Sequence, residues 1–297
     1  MVVAIGLYSN TPSIPTFPEQ QTFQGQILHA SDVTSRDVLA NQKVVVVGYG
    51  KSAMDMVQEA VAVADKVHML FRKPHWPVPR KLAGLLPTKF GALSRTTKAM
   101  MPLYMRPTAT EKWLHRFAKP LKGLFWKSLE LLIRYQFKLN KKIANGKDLV
   151  PTTSFEVDTC GEGTSMADPS FYPLIHEERV SMHRTEIFNF TADGVALKDG
   201  SELNVDCVVF ATGWKSEYSY LSPEIREVLG NDDDGFYLYR HILHPQLPNL
   251  AFIGRTNAFS NIFTYSIQAR WLAECVAGKV SLPSVDDMFN EIEAMKT

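Results

Sequence analysis

The sequence of 297 residues has few cysteines, and no hydrophobic run in it is long. Its three cysteines, Cys160, Cys207 and Cys275, are odd in number and show no CxxC spacing, which argues against a disulfide framework and a cysteine-based metal site. No segment reaches the roughly 18 apolar residues of a membrane span, and the N-terminus has no basic stretch followed by an apolar one. We therefore expect a protein of the reducing cytoplasm with no metal site.

Acidic residues are almost missing from one part of the chain. Between Arg80 and Lys147 there are sixteen lysines and arginines but only two acids, Glu111 and Glu130. This segment carries a net charge of +14, although the whole chain carries only +1. No nucleic-acid-binding motif accompanies the basic residues, so we expect no nucleic acid among the partners of this protein.

Apolar residues recur at three- and four-residue spacing inside this basic segment. They are Leu121, Leu124, Phe125, Leu129, Leu132, Tyr135 and Leu139. The spacing predicts one amphipathic helix with lysines and Arg134 on its polar side. Two interpretations stay open, a surface helix that packs on its own domain or a peripheral contact with a membrane through residues 112–142.

A strand followed by a glycine-rich turn is indicated at residues 43–55, which read KVVVVGYGKSAMD. Four consecutive valines suit a strand that is buried on both faces. Gly48 and Gly50 permit a tight turn and the close backbone approach that a pyrophosphate needs, and a helix that opens near Ser52 would direct its free N–H groups at the anion. A triphosphate-binding loop is excluded because it needs a glycine where Val45 stands. The motif alone still allows a strand, turn and helix without ligand.

The next predicted strand distinguishes between two dinucleotides. Residues 66–71 form this strand, and Arg72 and Lys73 follow it with no acidic residue nearby. NAD-binding units carry an acid at this place for the ribose 2′-hydroxyl, whereas a guanidinium matches a 2′-phosphate through paired hydrogen bonds. The pair therefore favours NADP over NAD, and the alternative is two solvated basic side chains.

Strand and helix patterns alternate outside the basic segment, which predicts an α/β fold with a mostly parallel sheet. Asp-Gly pairs at 193–194 and 199–200 are hairpin signals. Further expected elements are strands at residues 1–7, 205–211 and 250–253, an extended proline-rich linker at 10–18, and a helix at 266–277.

Several motifs, in order along the chain, together resemble the flavin-containing monooxygenases and their Baeyer–Villiger relatives. Residues 23–29 (FQGQILH) resemble the family's FxGxxxH signature, and residues 209–214 (VFATGW) resemble its ATG strand. Residues 247–254 and 268–272 resemble the segment that returns to the flavin domain. The residues that match the NADPH-side fingerprint are Gly48, Gly50, Ser52, Ala53 and Asp55.

The resemblance implies two Rossmann-like domains. Residues 36–215 correspond to an NADPH-binding domain with a basic helical insertion at 76–147, and residues 1–35 and 216–297 to an incomplete FAD-binding domain. The family's FAD-binding βαβ unit carries its own GxGxxG, which this sequence does not contain. Residues 1–6 look like the family's first ATG strand with Ile5 in place of Thr, so we expect a chain that lacks the N-terminal FAD-binding unit.

The resemblance also implies a function, in which FAD and NADP serve as cofactors and O2 oxygenates a soft N or S atom or a ketone of a small molecule. It implies that Gly48, Gly50, Lys51, Ser52 and Ala53 hold the NADP pyrophosphate and that Arg72 and Lys73 hold the 2′-phosphate. It implies cofactor-side positions for Thr212, Gly213, Asn257 and Gln268.

The resemblance points to no catalytic residue in this chain, and His29 of the signature has either a structural or a functional role. Two alternatives to the oxygenase stay open. One is a catalytically inactive NADP-binding module, and the other is a basic-helix adaptor for a membrane or a partner on the same scaffold.

Overall fold

The valines of the glycine motif form the centre of a buried parallel sheet. Val44, Val45 and Val46 have no exposed surface, as expected for a strand that is covered on both faces. The computed structural model describes residues 1–6, 11–92, 94, 100, 108–143, 147–159, 165–166, 168–215, 218–230, 236–256 and 261–296. The chain divides into two compact units, Pro12–Gly213 and the pair of segments Met1–Thr11 and Trp214–Thr297.

The described strands and helices are numbered here along the chain. The strands are β1 (Val2–Val3), β2 (Gln26–His29), β3 (Lys43–Val47), β4 (Lys66–Phe71), β5 (Pro77–Val78), β6 (Lys81–Leu82), β7 (Leu86–Pro87), β8 (Ser165–Met166), β9 (Ser181–Arg184), β10 (Ile187–Thr191), β11 (Gly194–Leu197), β12 (Glu202–Asn204), β13 (Cys207–Phe210) and β14 (Ala251–Phe252). The helices are α1 (Lys51–Val63), α2 (Thr88–Ala92), α3 (Ala109–Phe117), α4 (Lys119–Gln136), α5 (Phe155–Val157), α6 (Phe171–His176), α7 (Pro223–Leu229), α8 (Asn261–Val276) and α9 (Val285–Lys296). Short 3₁₀ helices cover Gln20–Thr22 and Arg36–Leu39.

The larger unit, Pro12–Gly213, is built on a five-stranded sheet with the order β2-β13-β3-β4-β9. All four strand pairs in it are parallel, and helix α1 connects β3 to β4. The α/β fold with a parallel sheet that the sequence predicts is confirmed. Because β3, β4 and β13 are adjacent and parallel, their carboxyl ends lie along one edge of the sheet.

Different elements pack on the two faces of this sheet. Helix α1 buries Ala53, Met54 and Val57 in the same apolar core as Val44 and Val46. On the opposite face, a second core joins the parallel sheet to the antiparallel strands β10, β11 and β12. The two predicted Asp-Gly hairpin turns join these antiparallel strands and are confirmed.

The basic segment forms helices α3 and α4. Helix α3 begins with a capping box, in which the Thr108 side chain accepts from the Glu111 backbone N–H and the Glu111 carboxylate accepts from the Thr108 backbone N–H. Helix α4 buries Trp126 and Ile133, and the Trp126 ring stacks on Phe155 with centroids 5.9 Å apart. The large aromatic partner fixes which face of α4 is turned inward.

The structure shows which face of α4 packs on the larger unit. Of the predicted apolar stripe, Leu121, Leu124 and Tyr135 are exposed by 60%, 63% and 84%. The inward face lies instead along Trp126 and Ile133, seven residues apart and therefore nearly in line on a helix. In the part of the chain that the structure describes, no helix combines the length and apolar character needed to cross a membrane.

The smaller unit, Met1–Thr11 with Trp214–Thr297, contains a two-stranded parallel sheet of β1 and β14. Phe252 of β14 is fully buried with Leu221, Leu238 and Leu250. Helices α7, α8 and α9 complete the described part of this unit. The strands expected at residues 1–7 and 250–253 and the helix expected at 266–277 are present with shifted ends.

The larger unit begins at Pro12, whereas the sequence suggests that the NADPH-binding domain begins at residue 36. Residues 12–35 pack in the larger unit, because β2 pairs with β13 along its whole length, from Gln26 beside Cys207 to His29 beside Phe210. The strand expected at 205–211 is β13, which is shorter. Cys160 lies outside the described residues.

Candidate functional site

A cleft of about 940 Å³ opens at the carboxyl edge of the parallel sheet in the larger unit. The segments that follow three adjacent strands line it, at Gly48 after β3, at Arg72 after β4 and at Thr212 after β13. Ser13 and Glu186 also belong to its wall. In open α/β sheets, ligands bind at this edge, outside the carboxyl ends of the strands.

The glycine turn is packed tightly between two neighbouring strands. Gly48 has φ +137°, and a Cβ added to it would lie 2.7 Å from the backbone oxygen of Ala211. Its backbone N–H donates to the oxygen of Leu70 at 2.9 Å. Only glycine fits both this backbone conformation and this contact. Gly50 has an ordinary φ of −80°, and nothing lies within 4 Å of the position that a Cβ would take there.

Helix α1 begins at Lys51, immediately after this turn. Among the described residues, no side chain caps the helix at Gly50, so its first backbone N–H groups face outward as they do in anion-binding helices. Lys51 and Ser52 are exposed, and Ala53 is fully buried against the turn. Asp55 forms an ion pair with Lys51 one helical turn away.

The two basic residues after β4 lie on the rim of the cleft. Arg72 and Lys73 are exposed and line it. Glu186 lines it as well, but its carboxylate forms an ion pair with Lys198 at 3.1 Å. The local charge balance therefore favours an anionic ligand.

Aromatic side chains form the base of the turn. Tyr49, between the two glycines, is 5% exposed, and its ring lies 4.6 Å from that of Phe71. Burial raises the pKa of Tyr49 to about 12, against opposing effects of Tyr172 and Arg184. The phenol is consequently neutral at physiological pH, and its role here is packing.

The Thr212-Gly213 segment is held from two sides. The Thr212 hydroxyl donates to the backbone oxygen of Ser13. His29, 3% exposed, lies 2.9 Å through Nε2 from the backbone oxygen of Gly213 and 2.7 Å through Nδ1 from the Ser31 hydroxyl. Because a carbonyl can only accept, Nε2 carries the proton and Nδ1 accepts from Ser31. His29 therefore joins β2 to the end of β13 and is structural.

A histidine and a buried carboxylate that sequence reasoning missed also belong to this site. His75 lines the cleft, and its Nδ1 lies 2.8 Å from Oδ1 of Asp158. Asp158 is only 1% exposed and accepts a second bond, from the Trp76 backbone N–H, at 2.7 Å. The two residues are 83 positions apart in sequence, so no local sequence pattern predicts that they pair.

Of the predicted site residues, only Gly48, Arg72, Lys73 and Thr212 line this cleft. The other described ones are near it in sequence, at Gly50, Lys51, Ser52, Ala53, Asp55 and Gly213, or lie in the smaller unit. Gln268 belongs to the smaller unit, where it is 6% exposed and its Oε1 accepts from the Gly254 backbone N–H at 3.4 Å. Gln268 is therefore buried. Asn257 lies outside the described residues. Within the ranges that the structure describes, no three His, Cys, Asp or Glu side chains gather in a way that could hold a metal ion.

A parallel sheet with a glycine turn, an uncapped helix start and two basic residues at one edge is the arrangement typical of α/β dinucleotide-binding units. A family model described as flavin-binding monooxygenase-like matches residues 1–152 and 173–297. The chain belongs to this family. The resemblance that the ordered motifs carry is thereby confirmed.

Individual relatives agree with this membership. The Arabidopsis thaliana protein named "Probable flavin-containing monooxygenase 1" is 27% identical over 311 residues, covering 98% of this chain and 57% of the relative. S-allyl-L-cysteine S-oxygenase from Allium sativum has the same fold, with a TM-score of 0.57 and 19% identity over 99% of this chain and 46% of that one.

Cyclohexanone monooxygenase from Rhodococcus sp. Phi1, bound to NADP+, also shares the fold. It has a TM-score of 0.59 and 18% identity over 93% of this chain and 59% of that one. The chain spans about half the length of the curated relatives it matches.

Proposed function

We propose that the larger unit binds NADPH in the cleft and that the protein serves an FAD- and NADPH-dependent oxygenation of small molecules by O2. The observation that carries this proposal is the cleft itself, which is lined by the tightly packed Gly48 turn and by the basic pair Arg72 and Lys73. Helix α1 begins directly after the turn. The substrate class we propose is a soft N or S atom or a ketone. An S-oxygenase and a cyclohexanone monooxygenase among the relatives support it.

The residues present fit the dinucleotide that the family implies. Gly50 leaves open the space that a Cβ would take, and Gly50, Lys51, Ser52 and Ala53 present backbone N–H groups at the start of α1 for the pyrophosphate. Arg72 and Lys73 would hold the 2′-phosphate. Asp55 would orient Lys51 through their ion pair, and Thr212 with Gly213 would border the cofactor at the end of β13.

NADPH supplies a hydride and FAD, once reduced, supplies the reactivity toward O2. This chain's residues position the dinucleotide and cover it from water on the side of Tyr49 and Phe71. In the smaller unit, Gly254, Arg255 and Thr256 follow the carboxyl end of β14. Arg255 Nε and Thr256 Oγ1 are buried without a described hydrogen-bond partner. We propose that this end of β14, together with Gln268, which accepts from the Gly254 N–H, and with Asn257, which follows Thr256 in sequence, faces the flavin.

The proposal is tested by titrating the purified chain with NADPH and NADH and then supplying FAD. We expect saturable binding of NADPH in preference to NADH, because the 2′-phosphate meets Arg72 and Lys73. We expect weak retention of FAD, since the sequence contains no second glycine turn for its pyrophosphate. Absence of NADPH binding would overturn the proposal. NADPH binding without flavin uptake at any FAD concentration would favour the inactive NADP-binding module instead.

A second proposal concerns the basic segment, through which we propose that the protein contacts an anionic membrane surface peripherally. The exposed face of α4 carries Leu121, Leu124, Leu131 and Tyr135, the last two exposed by 68% and 84%. Along a helix these positions fall on one stripe. Such a stripe would enter the boundary between headgroups and acyl chains.

Charge and aromatic residues beside the stripe favour lipid over a protein partner. Lys127 is exposed on α4, and Trp113 and Phe117 of α3 are exposed by 60% and 63%. Lysines at the rim of an apolar stripe attract anionic headgroups. The whole segment 112–142 is therefore proposed as the contact surface.

Vesicle co-sedimentation tests this contact. The chain is expected to sediment with phosphatidylserine-containing vesicles and less with neutral ones. The double variant Leu124→Ser with Leu131→Ser should stay in the supernatant. Phe188→Ser is the matched control, because Phe188 of β10 is equally exposed at 62% but lies away from these helices. If both variants sedimented with the vesicles equally, the proposed membrane contact through residues 112–142 would be refuted.

A further inference from the structure

The hairpin of β6 and β7, residues 81–87, presents an apolar tip to solvent. Leu85 and Leu86 are exposed by 84% and 53%, and Phe90 of α2, directly after the hairpin, is exposed by 65%. We call these three residues the hairpin patch. Single exposed apolar residues are common on protein surfaces, but three large ones so close together in the chain indicate a contact surface.

Two contacts and a tight turn hold the backbone of this hairpin in place. Gln136, the last residue of α4, donates through Nε2 to the Lys81 backbone oxygen at 2.9 Å and accepts through Oε1 from the Ala83 N–H at 3.1 Å. Ala83 and Gly84 in the turn have φ +49° and +72°, and this left-handed conformation costs Ala83 conformational energy because it has a Cβ. The leucines that follow are therefore held ready for a partner, and binding needs little further ordering.

Exposed lysines flank the hairpin patch. Lys81 and Lys89 are both exposed, and the Lys89 Nζ lies 5.2 Å from the centroid of the Phe90 ring. Arg80 is left out of this set, because it interacts electrostatically with Asp168. An apolar patch with cations at its border is suited to enter the surface of an anionic bilayer.

The charge of the whole basic segment favours lipid over a second copy of this chain. Its net charge is +14, and its two acids accept hydrogen bonds from backbone N–H groups, Glu111 from Thr108 and Glu130 from Phe155. Two copies that met at the hairpin patch would bring two strongly positive segments together. An anionic headgroup layer complements the same charge.

We propose that the β6–β7 hairpin is a membrane-inserting element, whose hairpin patch enters the apolar boundary of an anionic bilayer while Lys81 and Lys89 stay among the headgroups. The inference rests on the proposed membrane contact of residues 112–142 and adds a second point of insertion outside them. Gln136, which holds the hairpin, directly follows Tyr135 of the exposed stripe on α4. The hairpin is therefore bonded to the end of α4 that presents Tyr135.

Vesicle co-sedimentation of the whole chain tests this inference, with phosphatidylcholine vesicles that contain or lack phosphatidylserine. Leu85→Ser with Leu86→Ser should lower the partition coefficient on phosphatidylserine vesicles on the order of tenfold, because apolar area that enters the bilayer is lost. Ile262→Ser with Phe263→Ser is the matched control and should bind as the wild type does, since this adjacent pair is similarly exposed but lies on α8 of the smaller unit. Urea denaturation shows whether each variant is folded.

A second variant keeps the apolar tip and changes only the charge. Lys81→Ala with Lys89→Ala should weaken binding to phosphatidylserine vesicles by roughly fivefold for each lysine and leave binding to neutral vesicles unchanged. It also serves if the serine variant does not fold.

Wild-type binding by a folded hairpin serine variant, or an equal loss in the control pair, would overturn this inference. The contact of residues 112–142 would still stand if Leu124→Ser with Leu131→Ser weakened binding. A wild-type chain that did not sediment with phosphatidylserine vesicles would refute both proposals. If the serine variant lost self-association in analytical ultracentrifugation but kept its vesicle binding, the partner would be a second copy of the chain instead.

Discussion

Gly48 lies directly against the backbone oxygen of Ala211, so the turn after β3 is closed by the end of β13. A Cβ at Gly48 would sit 2.7 Å from this oxygen, on a backbone with φ +137°. Gly48→Ala should therefore lower the free energy of unfolding by about 2 kcal/mol or more, and it should abolish NADPH binding. Urea denaturation and calorimetry measure the two effects.

Gly50→Ala is the matched comparison for this prediction. Its φ of −80° is ordinary, and no atom lies within 4 Å of the position that the added methyl group would take. The variant should unfold at nearly the same urea concentration as the wild type and still bind NADPH less tightly, because the methyl group obstructs the approach of the pyrophosphate. Equal destabilisation by both alanines would contradict the packing difference between the two glycines.

Arg72→Ala is expected to reduce NADPH affinity about tenfold, since a charge-assisted hydrogen bond to a phosphate is lost. NADH affinity should not change, because that dinucleotide has no 2′-phosphate. Lys73→Ala should act in the same direction by a smaller factor. Arg270→Ala is the control, an exposed arginine of the smaller unit. If Arg72→Ala lowered the affinities for NADPH and NADH by the same factor, Arg72 would not contact the 2′-phosphate.

His29→Phe should destabilise the larger unit by about 2 kcal/mol, because it leaves the Gly213 oxygen and the Ser31 hydroxyl without their buried partner. Chemical denaturation is the measurement. Ser31→Ala, which removes only the second contact, should cost less. If His29→Phe kept its stability and lost only cofactor binding, the structural role of His29 would be refuted.

The contact between buried His68 and partly buried His183 predicts a loss of stability in acid. Burial lowers the pKa of His68 to about 4, helped by His183 and Lys66, and burial also lowers the pKa of His183. The unfolded chain binds these protons near pH 6.5 and the folded chain does not. The contribution of this pair to the free energy of unfolding is therefore fully present above about pH 6.5. It declines as the pH falls toward 4, by about 2 kcal/mol after allowance for solvent screening.

A His68→Gln variant tests the origin of that decline. It keeps a polar side chain at the position 3.0 Å from His183 but has no proton to gain. Its free energy of unfolding should change less between pH 7 and pH 4 than that of the wild type. An identical slope in the two proteins would assign the acid sensitivity to other groups.

Local patterns in the sequence predicted the parts of this site that are local in structure. The strand, turn and helix from Lys43 onward follow from valine content and glycine spacing alone. The pairing of His29 with Gly213 and of His75 with Asp158 depends on how distant segments meet, and no periodicity encodes it. Which face of α4 is buried could not be predicted for a related reason. Leucine spacing locates a stripe, but the fit of Trp126 against Phe155 decided which stripe is buried.

Trp76 connects the basic helix α4 to the backbone beside the cleft. Its indole touches Arg134 of the basic helix α4, its Nε1 is fixed on Thr153, and its backbone shares Asp158 with His75. The helix proposed to meet the lipid and the wall proposed to meet the cofactor thus have one common anchor. A displacement of α4 would change the surroundings of this indole. Trp76 fluorescence would therefore report on the position of α4 and on the adjoining wall of the cleft.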